Sequence, residues 1–440
     1  MAHILLISRY YPPEKAAAAV CVSETAKRLV KLGYQVTVLT TVPNYPTGIV
    51  PPEYRGRILQ EEMLDGIRVV RVWSYLSANE GFLRRILSQL SFGFLAPLLG
   101  WKKVGRPDVI IVGSPPLFNV IAARILASFM RRPFIFWVAD LWPESAVQLG
   151  VLRNRLFIRL SERLEWTTYK KARLVWVVTE RVRDLLIRQG LPPERIFLLT
   201  NGVDTVKFHP LPQDQARNEL GWDGRFTLVY AGNHGLVYGM AAVLEAAEQM
   251  LDRANIHFIF LGDGARKAEM LEQARKRNLK NVTFLDPISH DSMHTVFAAA
   301  DICLIPLSNM PLLETSLPLK MFEIMACARP FILGARGIAS QIAEEAGAGI
   351  VIEPENAQAL VSAISHLYEH PEVGEQLGRR GRIYAEARFD YDHLAAELDT
   401  KLELLLRTNG RISEAEVITS VPLQETPVPV GASAEKNQYE

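Results

Sequence analysis

FTLVYAGNHGLVYGMAAVLEAAEQMLDRANIHFIFLGDG (226–264) runs from an apolar stretch through a Gly-bearing loop, a segment of helical spacing and a second apolar stretch to a Gly-rich turn. FTLVYA (226–231) and IHFIFL (256–261) read as continuous apolar strands, the kind buried on both faces of a parallel sheet. MAAVLEAAEQMLDRA (240–254) supplies a crossover helix, so the unit is βαβ. The N-terminus follows the same plan: HILLIS (3–8), the loop RYYPPEKAAAA (9–19), the helix VCVSETAKRLVKLG (20–33) and the strand YQVTVLT (34–40). Further strand–loop–helix units start at DVIIVGSPP (108–116), FIFWVADLWPES (134–145), LVWVVT (174–179) and IFLLTNGVD (196–204). A second set starts at VTFLDP (282–287), DICLIPL (301–307) and PFILGA (330–335).

Repeated βα units predict an α/β chain of two Rossmann-like, doubly wound parallel-sheet domains facing a cleft. TNGVDTVKFHPLPQD (200–214) marks the boundary, giving domains 1–204 and 205–390. A helix over about 391–408 is expected to pack back on the first domain. The polar, Pro-bearing tail 411–440 is expected to be disordered.

At 440 residues, 49% hydrophobic and 22% charged, the composition is that of a globular protein. Cys21, Cys303 and Cys327 have neither pairing nor metal-ligand spacing, which suits a reducing compartment. The apolar run 4–7 is too short for a signal peptide. The net charge of +1 hides an asymmetry: residues 1–200 hold 28 Lys/Arg against 15 Asp/Glu, and the remainder 21 against 33. The first half therefore meets something anionic. Nucleic acid is disfavoured, because no nucleic-acid-binding signature accompanies the charge. Lipid fits better. FLRRILSQLSFGFLAPLLGWKK (82–103) brackets a 16-residue uncharged run with basic pairs, short of the roughly 20 residues needed to span a bilayer. With the basic amphipathic stretch 153–173 it suits contact with an anionic membrane surface. The expected location is cytoplasmic, peripheral at the inner face of the membrane.

Ligands of open α/β sheets bind beyond the carboxyl ends of the strands. Those ends carry Tyr10 to Glu14, Ser114, Asp140 to Glu144, Asn201 to Asp204, Gly232-Asn233-His234-Gly235 and Gly262-Asp263-Gly264. Glycines allow close backbone approach, and the acids and amides suit sugar hydroxyls. The combination suggests a nucleotide-activated sugar. In ETSLPLKMFEIMACARP (314–330), Lys320 lies in a first helical turn, where the backbone dipole disfavours a cation. Two readings stand from these residues: an internal pair with Glu323, or a bound anion shared by Lys320 and the free N–H groups of the turn.

The chain resembles the retaining glycosyltransferases of family 4, which have the two-Rossmann GT-B fold, and among them the bacterial surface-polysaccharide enzymes such as the N-acetyl-L-fucosamine transferases. The resemblance rests on YYPPE (10–14), PNYPTG (43–48), SPPL (114–117), DLWPESAV (140–147), NGVD (201–204), YAGNHG (230–235), GDG (262–264) and LPLKMFEIMA (317–326), and covers about residues 3–405. It implies a nucleotide-sugar donor, with UDP favoured over GDP, no cofactor and no metal. Asp390-Tyr391-Asp392 has D-x-D spacing but lies away from the strand ends. Glu323 matches the second glutamate of the family's E-x7-E motif, which holds the ribose hydroxyls. The first falls on Thr315, with Glu314 one residue early. Leu319, Pro287 and the two glycine turns join the implied donor contacts. The family's G-R-x4-K-G loop has Asn233 and Tyr238 at its cationic positions, which leaves Lys320 as the best cation for the diphosphate.

Alanines replace the usual glycines at 16 to 18, so Ala16 crowds the donor and Lys15 is a candidate substitute contact. Asp140 is read either as a partner of an acceptor or sugar hydroxyl or as a structural cap of the following turn, with Glu144 the weaker candidate. His234 is either a phosphate or sugar contact or a solvated loop residue. Ser114, Asn201 and Asp204 complete the acceptor or cleft set. The implied reaction moves a sugar, with retention, to a saccharide acceptor expected to be lipid-linked. In the front-face mechanism the departing phosphate oxygen takes the acceptor's proton. A nucleotide-sugar 2-epimerase and a catalytically silent sugar-nucleotide-binding protein stand as alternatives.

Overall fold

The computed structural model describes residues 1–14, 16–45, 48–76, 82–150 and 152–407. Lys15 and the tail 411–440 lie outside the described residues. Eight strands form the first sheet: β1 (His3–Ile7), β2 (Gln35–Thr41), β3 (Leu59–Leu64), β4 (Ile67–Val72), β5 (Val109–Ser114), β6 (Phe134–Val138), β7 (Leu174–Val177) and β8 (Ile196–Leu198). Their order is β3-β4-β2-β1-β5-β6-β7-β8, parallel except where β3 returns against β4. The second sheet holds β9 (Phe226–Ala231), β10 (Ile256–Leu261), β11 (Val282–Leu285), β12 (Ile302–Pro306), β13 (Phe331–Gly334) and β14 (Gly349–Ile352). Its order is β11-β10-β9-β12-β13-β14, all parallel. The α/β architecture of two Rossmann-like parallel-sheet domains is as the sequence predicts.

Both central strands are buried on both faces. In β1, Leu5 and Ile7 face a core shared with Leu39, Phe92 and Val112, while Ile4 and Leu6 face the opposite one with Val22, Val36 and Leu398. That second face is closed by the C-terminal helix Tyr391–Arg407 through Leu394, Leu398, Leu402 and Leu405. The chain crosses between the lobes twice, and the crossings touch: Val203 donates to the Phe389 carbonyl and Tyr391 to the Val203 carbonyl. Arg28 braces this joint, bonding Glu24, Asp204 (2.7 Å) and Asp392 (3.0 Å).

Strand order reverses beside β1 in the first sheet and beside β9 in the second. Successive crossovers from β9 run outward through β10 and β11, then return to β12 on the other side. The crevice at such a switch point is where open α/β sheets bind ligands. Residues 232–239 follow β9, and the segment leading to Lys320 follows β12.

Candidate functional site

Two glycine turns meet at that switch point. Gly232 has φ of +135° and Gly262 +141°. A Cβ on Gly262 would lie 1.9 Å from the Gly232 carbonyl oxygen, so the turns stack backbone on backbone. A Cβ on Gly232 would lie 2.7 Å from the Lys320 Nζ. The site is thus a glycine turn laid against an amine.

The helix Leu319–Ala326 brings that amine in. Pro318 is its N-cap rather than its first residue, and no side chain caps it. The Lys320 stem is partly exposed, but Nζ is buried and has no hydrogen-bond partner among the described residues. Instead Nζ lies 4.1 Å from the ring centroid of Tyr230 and 4.6 Å from that of Tyr238. Burial pushes its pKa down to about 7, with Glu323 and Cys303 opposing. The internal Lys320–Glu323 pair, one of the two readings open in the sequence, is not formed. Glu323 is held by His290, whose Nε2 lies 2.7 Å from Oε1. The His290 Nδ1 lies 3.2 Å from Lys207 Nζ, which can only donate. Nδ1 therefore accepts, and Nε2–H donates to the carboxylate. Asp291 in turn pairs with Lys207 at 2.5 Å. His290 escaped the sequence reading, although SHD (289–291) follows a strand end as binding loops do.

His234 is not a solvated loop residue. It is fully buried among Tyr230, Phe260 and Phe284, with neither ring nitrogen hydrogen-bonded among the described residues. Burial, then Lys267 and Lys320, lower its pKa to about 4. The solvated reading failed because the glycine turns let the backbone pass outside and direct the imidazole inward. Asn233 and Asp263 are exposed. Asp263 accepts from the Gly264 N–H through Oδ1 and from the His234 N–H through its carbonyl, and Gly235 packs against Asn233. Thr315 bonds back to the Leu312 carbonyl, and Pro287 is an exposed loop residue. Glu314 reaches across the lobes to Arg181 at 2.7 Å. Leu319 also packs against the first lobe's core.

On the first lobe, Asp140 follows β6, and burial raises its pKa to about 6 against hydrogen bonds from Ser145 and the Leu141 N–H. Glu144 is exposed and accepts from Gln148. A carboxyl absent from the sequence reading, Glu165 on the helix Arg155–Lys171, accepts from the Tyr169 hydroxyl at 2.7 Å. Burial raises its pKa to about 8. Ser114 is buried with its hydroxyl unpartnered among the described residues, and Ala16 is the half-exposed N-cap of the helix Ala17–Lys31. Asp204 departs from the cleft assignment: Arg28 and the N–H groups of Val206 and Lys207 hold it in the joint between lobes. Asn201 lines a small cavity there with Trp137, Trp176 and Tyr391.

The first lobe also carries an exposed apolar face. Leu83, Leu87, Phe94 and Leu98 on the helix Phe82–Gly100 join Ile125 and Phe129 on the helix Asn119–Met130. Trp101 meets Phe129 edge-on at 5.4 Å and carries Lys102 over its ring. Among the described residues no helix is long and apolar enough to cross a membrane.

The family model described as "Glycosyl transferase 4-like domain" matches residues 16–202, and that described as "Glycosyl transferases group 1" matches 212–384. The putative colanic acid biosynthesis glycosyl transferase WcaI of Escherichia coli (strain K12) is 26% identical over 407 residues, 89% of this chain and 97% of its own. Sucrose-phosphate synthase from Thermosynechococcus elongatus shares the fold, with a TM-score of 0.74 at 18% identity over 93% of this chain and 100% of its own. So does Anabaena Alr3699/HepE in complex with UDP-glucose, with a TM-score of 0.66 at 17% identity over 92% of this chain and 100% of its own. With both lobes matched in order, and a full-length relative beside them, the chain is a glycosyltransferase of family 4 with the GT-B fold.

Proposed function

We propose that the protein transfers a sugar, with retention, from a nucleotide-sugar donor to a lipid-linked saccharide at the inner face of the cytoplasmic membrane, in the assembly of a surface polysaccharide. The observation that carries the donor reading is the Lys320 ammonium at an uncapped helix start, without a counter-ion among the described residues and pressed against the Gly232 turn. The departing diphosphate gains charge in the transition state, and a preorganised amine and backbone N–H groups stabilise that charge. Glu323, one turn further on and oriented by His290, accepts from the ribose hydroxyls. UDP is the favoured nucleotide, a preference supported by the UDP-glucose in the HepE structure.

The departing phosphate oxygen takes the proton of the acceptor hydroxyl while the sugar is attacked on the face it leaves. Asp140 orients that hydroxyl. The exposed apolar face and its basic flanks, on the same lobe, rest on an anionic membrane. The name of the colanic acid relative supports the polysaccharide context.

Lys320→Ala is expected to lower kcat by about 10²–10³, whereas Glu323→Ala mainly raises the KM for donor. Full activity of both variants at limiting donor would refute the site. Turnover of donor without acceptor would point instead to an epimerase. Flotation with vesicles of phosphatidylglycerol and phosphatidylethanolamine tests the membrane part, and failure to bind at low as well as high salt would remove it.

A further inference from the structure

What holds the Lys320 amine is unusual for a buried cation. Its charged and titratable neighbours are Tyr230 on β9, Tyr238 and His234 on the loop that follows, Glu323 on its own helix and Cys303 on β12. Glu323 is turned away to His290. The two phenols stay neutral, because burial raises both above their ordinary value. Their rings meet edge to face with centroids 5.4 Å apart, within the roughly 4.5–7 Å usual for aromatic pairs.

The Tyr230 ring and the Tyr238 backbone are both fixed. The Tyr230 hydroxyl donates to the Asn233 carbonyl at 2.6 Å. Tyr238 pairs with Leu307 just beyond β12, and the Gly239 N–H bonds the Pro306 carbonyl at 2.8 Å. Tyr238 also occupies a position where the family resemblance places a lysine. A second ammonium in this buried corner would repel the first; a ring attracts it.

We propose that Tyr230 and Tyr238 are positioning residues, a two-ring corner that holds the Lys320 ammonium by π faces and keeps it aimed at the donor's diphosphate without a counter-ion. A carboxylate partner would fix the amine equally well but would cancel the charge the diphosphate needs. A ring quadrupole attracts the cation and adds no net negative charge. This inference rests on the diphosphate reading of Lys320.

Calorimetric titration of the full chain with UDP between pH 6 and 8.5 tests it, using Tyr238→Phe, Tyr238→Leu and Lys320→Ala. UDP affinity should fall as the pH rises through the amine's titration. Tyr238→Phe should follow the parent throughout. Tyr238→Leu loses a π face, so its fall should move about half to one pH unit lower, with UDP bound about three- to tenfold more weakly at pH 8. Thermal melting checks each variant's fold; if Tyr238→Leu melts early, Tyr238→Met, of similar bulk and also ringless, is read in its place. Coincident profiles for the ringless variant and Tyr238→Phe would overturn the ring corner while leaving Lys320 in its role, provided Lys320→Ala flattens the profile. If Lys320→Ala itself binds UDP with the parent's affinity and profile, the underlying diphosphate reading falls.

Discussion

Replacing His290 with Ala separates the proposed nucleoside end of the site from its proposed diphosphate end. The imidazole donates from Nε2 to Glu323 Oε1 at 2.7 Å, and the carboxylate is 12% exposed while His290 is 32% exposed. A hydrogen bond to a charged group contributes roughly 1.5–3 kcal/mol. Water can take the place of an imidazole that is one-third exposed, so the expected loss lies lower, at about 1–1.5 kcal/mol. That corresponds to a rise of about five- to twelvefold in the KM for donor. The diphosphate contacts proposed for Lys320 are untouched, so kcat should stay within about twofold of the parent. His290→Gln keeps an N–H donor at similar reach and should recover most of the loss. Initial rates over a range of donor concentrations at saturating acceptor measure both constants. An unchanged KM in His290→Ala, or a fall confined to kcat, would refute the role given to the Asp291–Lys207–His290–Glu323 chain.

Lys320→Met should stabilise the fold while impairing transfer. The folded amine titrates near 7 and an exposed one near 10.5, so the unfolded chain binds more protons between those values and the parent gains stability as pH rises through that window. The variant's advantage, about 4–5 kcal/mol at pH 6.5, should vanish towards pH 10.5 in urea unfolding. Gly262→Ala forces a Cβ onto the Gly232 carbonyl at a positive φ and should cost about 2–4 kcal/mol with loss of UDP-induced thermal stabilisation. Arg28→Ala leaves Glu24, Asp204 and Asp392 facing one another and should destabilise by about 2–4 kcal/mol in thermal unfolding. Burial raises the Asp204 pKa, but the Arg28 bond and the N–H groups of Lys207 and Val206 outweigh it and leave a net lowering. The stability due to Asp204 is therefore present at neutral pH and lost as acid titrates it below the ordinary aspartate range. In Arg28→Ala that acid-dependent loss should shrink.

The strands were legible wherever burial on both faces left an unbroken apolar run, as in HILLI and FTLVYA. The hairpin β3–β4 was not, because LQEEML alternates like an exposed edge and its three polar residues hide the pairing. Asp65-Gly66, both at positive φ, was the available signal for its turn. Lys320 stood out because a cation in an apolar first turn contradicts its surroundings, and such local conflicts mark sites. His290 and Glu165 gave no comparable signal. One matters through Glu323, 33 residues on, and the other through burial beside Asp140. Asp204 was misread for the same reason: NGVD follows a strand end, but the partner that claims its carboxylate, Arg28, lies 176 residues earlier.

The C-terminal helix also sets the order in which the chain can be completed during synthesis. Residues 226–389 emerge as one continuous stretch that supplies every strand of the second sheet. The first sheet emerges earlier, yet the face bearing Ile4, Leu6 and Val36 is covered only in part, by Val22, Ala26 and Leu29, until Leu394 to Leu405 leave the ribosome. At about 5–20 residues per second, that wait lasts on the order of 10–40 s. The lobe made first is therefore finished last, part of its apolar face left open for the translation time of the other.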